Sequence, residues 1–181
     1  MSKAERIERV RSLITSIEGF PKPGITFRDI FPVMRDPAVF ADCMALLTEH
    51  VRDLKQPIDA VVGLDARGFI FGIVLAQQLG VSFVPIRKAG KLPGETIQVS
   101  YTLEYGSATF EVQKDALQAA QKVIIIDDLL ATGGTMAAAC KLIKQLECDI
   151  VECVVVIELT DLKGRDKLTD KIFSLTTYSG E

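Results

Sequence analysis

The sequence predicts an α/β protein with a mostly parallel central sheet flanked by helices. Short segments that are apolar throughout alternate with segments in which apolar residues recur every three or four positions. The central apolar segments lack the polar alternation of a half-exposed strand, which is typical of parallel strands covered on both faces. At 181 residues the chain is long enough for one domain with a sizeable core. We therefore expect a single domain over residues 1–181.

The composition excludes several classes of protein. A net charge of −3 argues against a nucleic-acid binder held by general electrostatics. The charged N-terminus is unlike a signal peptide, and the longest apolar runs are far too short to span a membrane. The four cysteines are scattered and form no Cys/His cluster, so zinc and a disulfide framework are not expected. We expect a cytoplasmic protein with reduced thiols, no nucleic-acid partner and no membrane partner.

The N-terminal part predicts two helices separated by an irregular segment. Helical spacing of apolar residues predicts a helix over residues 3–17, ending before Gly19. Four prolines and a glycine in residues 20–37 predict a loop or short strands. Asp36 as N-cap and Pro37 in the first turn predict the start of the second helix. The single histidine, His50, lies in this helix without a nucleophile or metal partner in the pattern, and we interpret it as structural.

The middle of the chain predicts strands and helices in alternation. Residues 60–64 form an apolar strand, residues 69–79 a helix closed by Gly80, and residues 81–86 a second strand. A basic, glycine-containing loop follows over residues 87–95. Residues 96–112 alternate with period two around a turn at residues 104–107, which predicts a β-hairpin. The remaining pattern predicts strands at residues 122–126, 151–158 and 172–178, with a helix at residues 135–146.

The segments that follow the central strands carry the residues with chemical potential. Ligands bind at the carboxyl ends of the strands in sheets of this kind. The first central strand is followed by Asp65-Ala66-Arg67-Gly68, and the second by Arg87, Lys88 and Lys91. The third is followed by Asp127 and Asp128 and then by Ala131-Thr132-Gly133-Gly134-Thr135. The sequence therefore predicts one site that combines carboxylates, cations and a glycine-threonine loop.

The loop from Ala131 to Thr135 predicts a phosphate site. Its glycines allow a tight turn and a close approach of the backbone to a ligand. The free amides at the start of the following helix favour an anion. Without the residues before it, this loop could equally be an N-cap turn that binds nothing.

The adjacent Asp127 and Asp128 make the ligand-binding interpretation stronger. Two neighbouring carboxylates at a strand end repel each other and bring no evident structural benefit. They are useful if they accept hydrogen bonds from the vicinal hydroxyls of a ribose whose 5′-phosphate lies in the loop just beyond. The pattern therefore predicts a binding site for a phosphorylated ribose.

The run VIIIDDLLATGGT resembles the phosphoribosyl-pyrophosphate motif of the type I phosphoribosyltransferases. Together with FPKPGITFRDI, VVGLDARGFIFG, IRKAGKLPG and YTLEYG, in that order, it is similar to the adenine-specific family, from Phe20 to about Lys163. The resemblance implies the type I fold, with an N-terminal hood over about residues 1–35 and a flexible hairpin lid over about residues 95–112. It implies that adenine and 5-phosphoribosyl 1-pyrophosphate (PRPP) give AMP and pyrophosphate, with Mg²⁺ held mainly by substrate and water. It also implies a homodimer.

The resemblance implies a role for each matched residue. Asp127 and Asp128 would bind the ribose hydroxyls, and Ala131, Thr132, Gly133, Gly134 and Thr135 would hold the 5′-phosphate. Asp65, Ala66 and Arg67 would form the pyrophosphate loop, where relatives carry a cis peptide before Ala66. Arg67, Arg87, Lys88 and Lys91 would contact pyrophosphate, some of them across a dimer interface.

For the base, the resemblance implies that Phe27 and Leu129 sandwich adenine while backbone groups of Thr26 and Arg28 bind its edge. In the lid, Glu104 would protonate or hold N7 of adenine, and Tyr105 would fix the closed position. Read without the resemblance, Phe27 is more typical of a core aromatic and Glu104 of an exposed hairpin turn.

Three other functions stay open. A sister enzyme for guanine, xanthine or orotate shares the phosphate motif, although the FRDI and LEYG segments argue against it. A regulatory protein with the same site would bind the sugar without turnover. A flavodoxin-like nucleotide carrier shares the alternation of strands and helices, but it gives no reason for Asp127 and Asp128.

Overall fold

The computed structural model describes residues 1–102 and 107–179 and has two sheets and five α-helices in this part of the chain. The helices are α1 (Lys3–Leu13), α2 (Phe31–Arg35), α3 (Pro37–Asp53), α4 (Arg67–Leu79) and α5 (Gly134–Gln145). The strands are β1 (Thr15–Glu18), β2 (Thr26–Asp29), β3 (Ala60–Leu64), β4 (Ser82–Lys88), β5 (Thr96–Thr102), β6 (Ser107–Gln113), β7 (Lys122–Leu130), β8 (Asp149–Leu159) and β9 (Ile172–Tyr178). Among the described helices, none is long and apolar enough to pass through a bilayer.

The main sheet has seven strands in the order β5-β6-β4-β3-β7-β8-β9. Strands β4, β3, β7, β8 and β9 run parallel to one another, and the hairpin β5–β6 pairs antiparallel with β4 through β6. The predicted mostly parallel sheet flanked by helices is therefore confirmed. The carboxyl ends of β3, β4 and β7 meet at one edge of the sheet.

The core has two layers because the parallel strands are buried on both faces. Ile124 and Ile126 of β7 pack with helices α1, α3 and α4 on one face. Val123 and Ile125 pack with α5 and the hairpin on the other face. Since side chains alternate along a strand, a strand that is apolar at every position fills both layers at once.

The N-terminal segment differs from the expected single helix. Helix α1 ends at Leu13, and Ile14 is already extended, so the prediction of a helix to residue 17 was wrong. Residues 15–18 instead pair antiparallel with β2, with Ile17 opposite Phe27. The β-branched residues Thr15 and Ile17 suit this pairing, and Gly19, at a φ of +71°, turns the chain after it.

The predicted start of the second long helix is confirmed. The Asp36 side chain accepts hydrogen bonds from the amides of Ala38 and Val39, and Pro37 is the first residue of α3. The short helix α2, directly before it, was not predicted. Pro32 occupies its first turn, where its missing amide proton costs nothing.

Candidate active site

The two adjacent carboxylates lie inside strand β7 and not beyond its end. The strand continues through Asp127 and Asp128 to Leu130, so the expected end at Ile126 was wrong. The long neighbour β8 explains the difference, because it pairs with β7 as far as Leu130 opposite Glu158. Sheet hydrogen bonds therefore fix the backbone from which both carboxylates extend.

Arg67 compensates the charge of the carboxylate pair. Its Nε lies 2.5 Å from Oδ2 of Asp128, which is only 5% exposed. The Asp128 amide donates to Oδ1 of Asp127 at 2.8 Å. Burial, and then the charge of Asp128, raises the pKa of Asp127 well above its ordinary range. Two acids therefore share one buried site, and the guanidinium of Arg67 offsets part of their negative charge.

A close approach of helix α4 to β7 brings Arg67 to this position. A Cβ atom at Gly68 would lie 2.8 Å from the Ile126 carbonyl oxygen and 3.0 Å from Oδ1 of Asp127. Only a residue without a side chain lets the first turn of α4 pack this closely on the strand. Because of this close packing, Arg67, the first residue of α4, lies near enough to contact Asp128.

The predicted phosphate loop joins β7 to α5 and faces the same cavity. Gly133 is the N-cap of α5 with a φ of +80°, and no side chain caps the helix there. The first amides of α5 are therefore available to an anion. The cavity is about 410 Å³ in volume, and the predicted ribose and phosphate residues all line it: Asp127, Asp128, Ala131, Thr132, Gly133, Gly134 and Thr135.

The predicted pyrophosphate loop borders the cavity from β3. Asp65, Ala66 and Arg67 line it, and the peptide bond between Asp65 and Ala66 is cis, as the resemblance implied. Lys88 also lines the cavity, whereas Arg87 and Lys91 do not. Arg87 instead places its Nε 2.8 Å from Oδ2 of Asp65. Of the four predicted cations, two therefore reach the cavity within one chain.

Glu111 organises the basic loop and was missed by sequence reasoning. The period-two pattern assigns it to the polar face of the hairpin, yet it is 2% exposed. Its Oε1 accepts the amides of Lys91 and Leu92, both at 2.8 Å, and its Oε2 accepts Nε2 of Gln98 at 3.1 Å. Burial raises the pKa of Glu111, but these donors outweigh burial and lower it overall. The loop folds over the strand, a contact that local periodicity does not encode.

The hood lies beside the cavity. Phe27 in β2 is half-buried, with its ring 5.2 Å from that of Phe20 and 5.9 Å from Cζ of Arg67. It is therefore not a fully buried core aromatic, which was the alternative interpretation. Leu129 lines the cavity, whereas Thr26, Phe27 and Arg28 stand outside its lining.

The hairpin flanks the cavity with residues that sequence reasoning did not select. Tyr101 of β5 and Ala108 and Phe110 of β6 line it. Glu104 and Tyr105, the predicted lid residues, lie outside the described residues, so their roles stay predictions.

The histidine and the cysteines stand away from the cavity lining. Nε2 of His50 lies 2.5 Å from Oε2 of Glu152, and its ring stacks on Phe173 at 3.6 Å. These contacts agree with a structural role. All four cysteines are buried and carry free thiols.

Comparisons with known proteins agree with this geometry. The phosphoribosyl transferase domain family matches residues 33–178. The adenine phosphoribosyltransferase of Homo sapiens is 52% identical over 174 residues, covering 95% of this chain and 97% of that protein.

Two solved structures are also similar. The adenine phosphoribosyltransferase of Saccharomyces cerevisiae, complexed with D-2,5-dideoxy-2,5-imino-altritol 1,6-bisphosphate and adenine, has a TM-score of 0.94 at 44% identity and covers 96% of this chain and 99% of its own. The Trypanosoma brucei adenine phosphoribosyl transferase, in complex with AMP, pyrophosphate and ribose-5-phosphate, has a TM-score of 0.87 at 27% identity and covers 95% of this chain and 79% of its own.

Proposed function

Since this chain belongs to the adenine phosphoribosyltransferase family, we propose that it transfers the phosphoribosyl group of PRPP to adenine, giving AMP and pyrophosphate. One observation carries the proposal. A single cavity joins a pair of adjacent carboxylates, a helix start with free amides, and a loop whose arginine contacts one of the carboxylates. These three parts suit the diol, the 5′-phosphate and the pyrophosphate of one substrate.

The carboxylates and the phosphate loop would hold the sugar. In this proposal Asp127 and Asp128 bind the two ribose hydroxyls, and the amides and hydroxyls from Ala131 to Thr135 hold the 5′-phosphate. The strand β7 and helix α5 fix both groups, so the anomeric carbon is held in one place. No protein nucleophile is required, because adenine itself displaces the pyrophosphate.

The cations would stabilise the leaving group. The transition state of displacement at an anomeric carbon has oxocarbenium character, and negative charge develops on the departing pyrophosphate. Arg67 and Lys88 line the cavity, and in this proposal they would neutralise that charge. Leu129 in the cavity and Phe27 beside it would hold the adenine ring, with backbone groups of Thr26 and Arg28 at its edge.

Mg²⁺ fits this site as an ion carried by the substrate. Within residues 1–102 and 107–179, no group of three or more His, Cys, Asp and Glu side chains is placed to hold a metal ion. Asp65 pairs with Arg87, Asp128 pairs with Arg67, and the pKa of Asp127 is raised by burial. The phosphate oxygens of PRPP and water would therefore supply most ligands, and the ion when bound would neutralise charge on pyrophosphate.

We also propose that the enzyme is a homodimer. Ile70 and Ile73 lie three positions apart on α4 and are 38% and 53% exposed, next to the loop that carries Arg67. Light scattering should give a mass near twice 19.8 kDa, and Ile73→Asp should lower it; an unchanged mass for the variant would place the interface elsewhere.

The buried free thiols support a cytoplasmic location, which cell fractionation would test.

The decisive experiment measures pyrophosphate release from PRPP and Mg²⁺ with adenine, guanine, hypoxanthine or orotate. Of the four bases, we expect only adenine to release pyrophosphate, and we expect no release after chelation of the metal.

In the same assay, Glu104→Ala should lower kcat more than it lowers the affinity for adenine, because a proton donor acts in the transition state.

Other results would change the assignment. Release with a different base would keep the reaction class and discard the proposed base site around Phe27. Binding of PRPP without release with any base would indicate the regulatory binding protein.

A further inference from the structure

The predicted phosphate loop, residues 131–135, packs against the backbone of a turn that follows β8. Gly164 starts a short 3₁₀ turn (Gly164–Lys167) after β8. A Cβ atom at Gly164 would lie 2.3 Å from the Ala131 carbonyl oxygen and 3.0 Å from the Gly133 nitrogen. A Cβ atom at Gly133 would lie 2.2 Å from the Gly164 carbonyl oxygen. The two glycines therefore pack backbone against backbone.

Arg165 fastens this turn to the sheet. Its Nε and one terminal nitrogen lie 2.5 Å and 2.7 Å from the two carboxylate oxygens of Glu158. It also donates to the Ile172 carbonyl at 2.8 Å and to the Ser174 hydroxyl at 3.0 Å. Because Arg165 follows Gly164 directly in the chain, its guanidinium holds the turn that begins at Gly164 against both β8 and β9.

The carboxylate partner makes this more than a surface ion pair. Glu158 is 4% exposed and lies opposite Leu130, the last residue of β7 before the phosphate loop. Burial raises the pKa of Glu158, but Arg165 and Ser174 outweigh it and lower the pKa overall. Removing Arg165 would leave a buried carboxylate without its partner, whereas most exposed ion pairs contribute little.

We propose that Arg165 is a positioning residue for the 5′-phosphate site, acting through Gly164 on the loop from Ala131 to Gly133. The proposal rests on the proposed function, because it assigns the phosphate of PRPP to that loop. Arg165 does not line the cavity, so we expect it to act without touching the substrate. Its loss frees the turn to move, the loop loses the backbone against which it packs, and the first amides of α5 no longer converge on the phosphate. Affinity for the 5′-phosphate falls, while the base site at Phe27 and Leu129 keeps its geometry.

The test separates positioning from general stability with three variants. Arg165→Met removes the tie and leaves Glu158 charged, so both stability and phosphate affinity should fall. The double variant Arg165→Met/Glu158→Gln removes the unpaired charge, so the melting temperature should recover while phosphate affinity stays low. Lys144→Met is the matched control, because it breaks the Lys144–Asp170 ion pair at 2.7 Å. This pair joins α5 to the segment between the 3₁₀ turn and β9 and does not involve Gly164.

Calorimetric titration with ribose 5-phosphate and the KM for adenine provide the readouts. We expect the double variant to bind ribose 5-phosphate about tenfold more weakly with the KM for adenine unchanged, and Lys144→Met to behave as wild type in both. Wild-type affinity in the double variant would overturn the proposal. Equal losses for both substrates that follow the melting temperature would overturn it as well.

Amide hydrogen exchange of Ala137 without ligand makes the test independent of the proposed function, because this amide donates to the Gly133 carbonyl at 2.9 Å and is protected only while the loop keeps its place. Faster exchange in both Arg165 variants, but not in Lys144→Met, supports the positioning role. Unchanged exchange contradicts it. If wild type fails to bind ribose 5-phosphate, the proposed function fails, and the exchange rates alone then decide whether Arg165 sets the loop.

Discussion

Asp128→Asn is expected to raise the KM for PRPP by roughly 30- to 150-fold, which corresponds to about 2–3 kcal/mol of lost binding free energy. Asn has nearly the same shape, so the change removes charge and little else. The variant loses a charged acceptor for a ribose hydroxyl and leaves Arg67, whose Nε lies 2.5 Å from Oδ2 of Asp128, without its ionic partner. It also removes the charge of Asp128, which is the largest cause after burial of the raised pKa of Asp127.

Steady-state kinetics with varied PRPP would measure the effect. Glu49→Gln is the matched control, because it weakens another arginine–carboxylate pair, Arg6–Glu49 at 2.8 Å, on residues that do not line the cavity. The control should keep the wild-type KM. An unchanged KM for PRPP in Asp128→Asn would refute the ribose-binding role of this carboxylate.

Gly133→Ala is expected to raise the KM for PRPP by about 100-fold or more and to lower the melting temperature. Two separate costs combine at this position. Gly133 has a φ of +80°, which costs a residue with a side chain about 1–2 kcal/mol. The added Cβ would also lie 2.2 Å from the Gly164 carbonyl oxygen, so one of the two backbones must shift. We expect the shift to fall on the loop that is proposed to hold the 5′-phosphate.

Gly80→Ala distinguishes the two costs. Gly80 ends α4 at a φ of +72°, and nothing lies within 4 Å of the Cβ it would gain. This control should lose about 1–2 kcal/mol of folding free energy and keep the KM for PRPP. If Gly133→Ala binds PRPP within twofold of wild type, the close contact between the loop and Gly164 is not needed for binding.

Local chemistry explains the parts of the fold that sequence reasoning predicted. The N-cap at Asp36 and the turn at Gly80 both depend on neighbours in the chain. The phosphate loop is predictable for the same reason, since its glycines and the helix start adjoin in sequence. The N-terminal helix was predicted too long because residues 15–18 have a partner strand that periodicity does not show.

Hydrophobic patterning is enough to predict the order and type of the central elements and the loops that carry charged residues. Which of the charged side chains meet is a consequence of the folded packing. Arg67 and Asp128 are 61 positions apart, and Glu111 reaches the amide of Lys91 across 20 positions. Gly164 and Arg165 have no local pattern that marks them as supports of the phosphate loop. Such contacts form because packing the sheet and its turns buries them together, and no short-range periodicity encodes that burial.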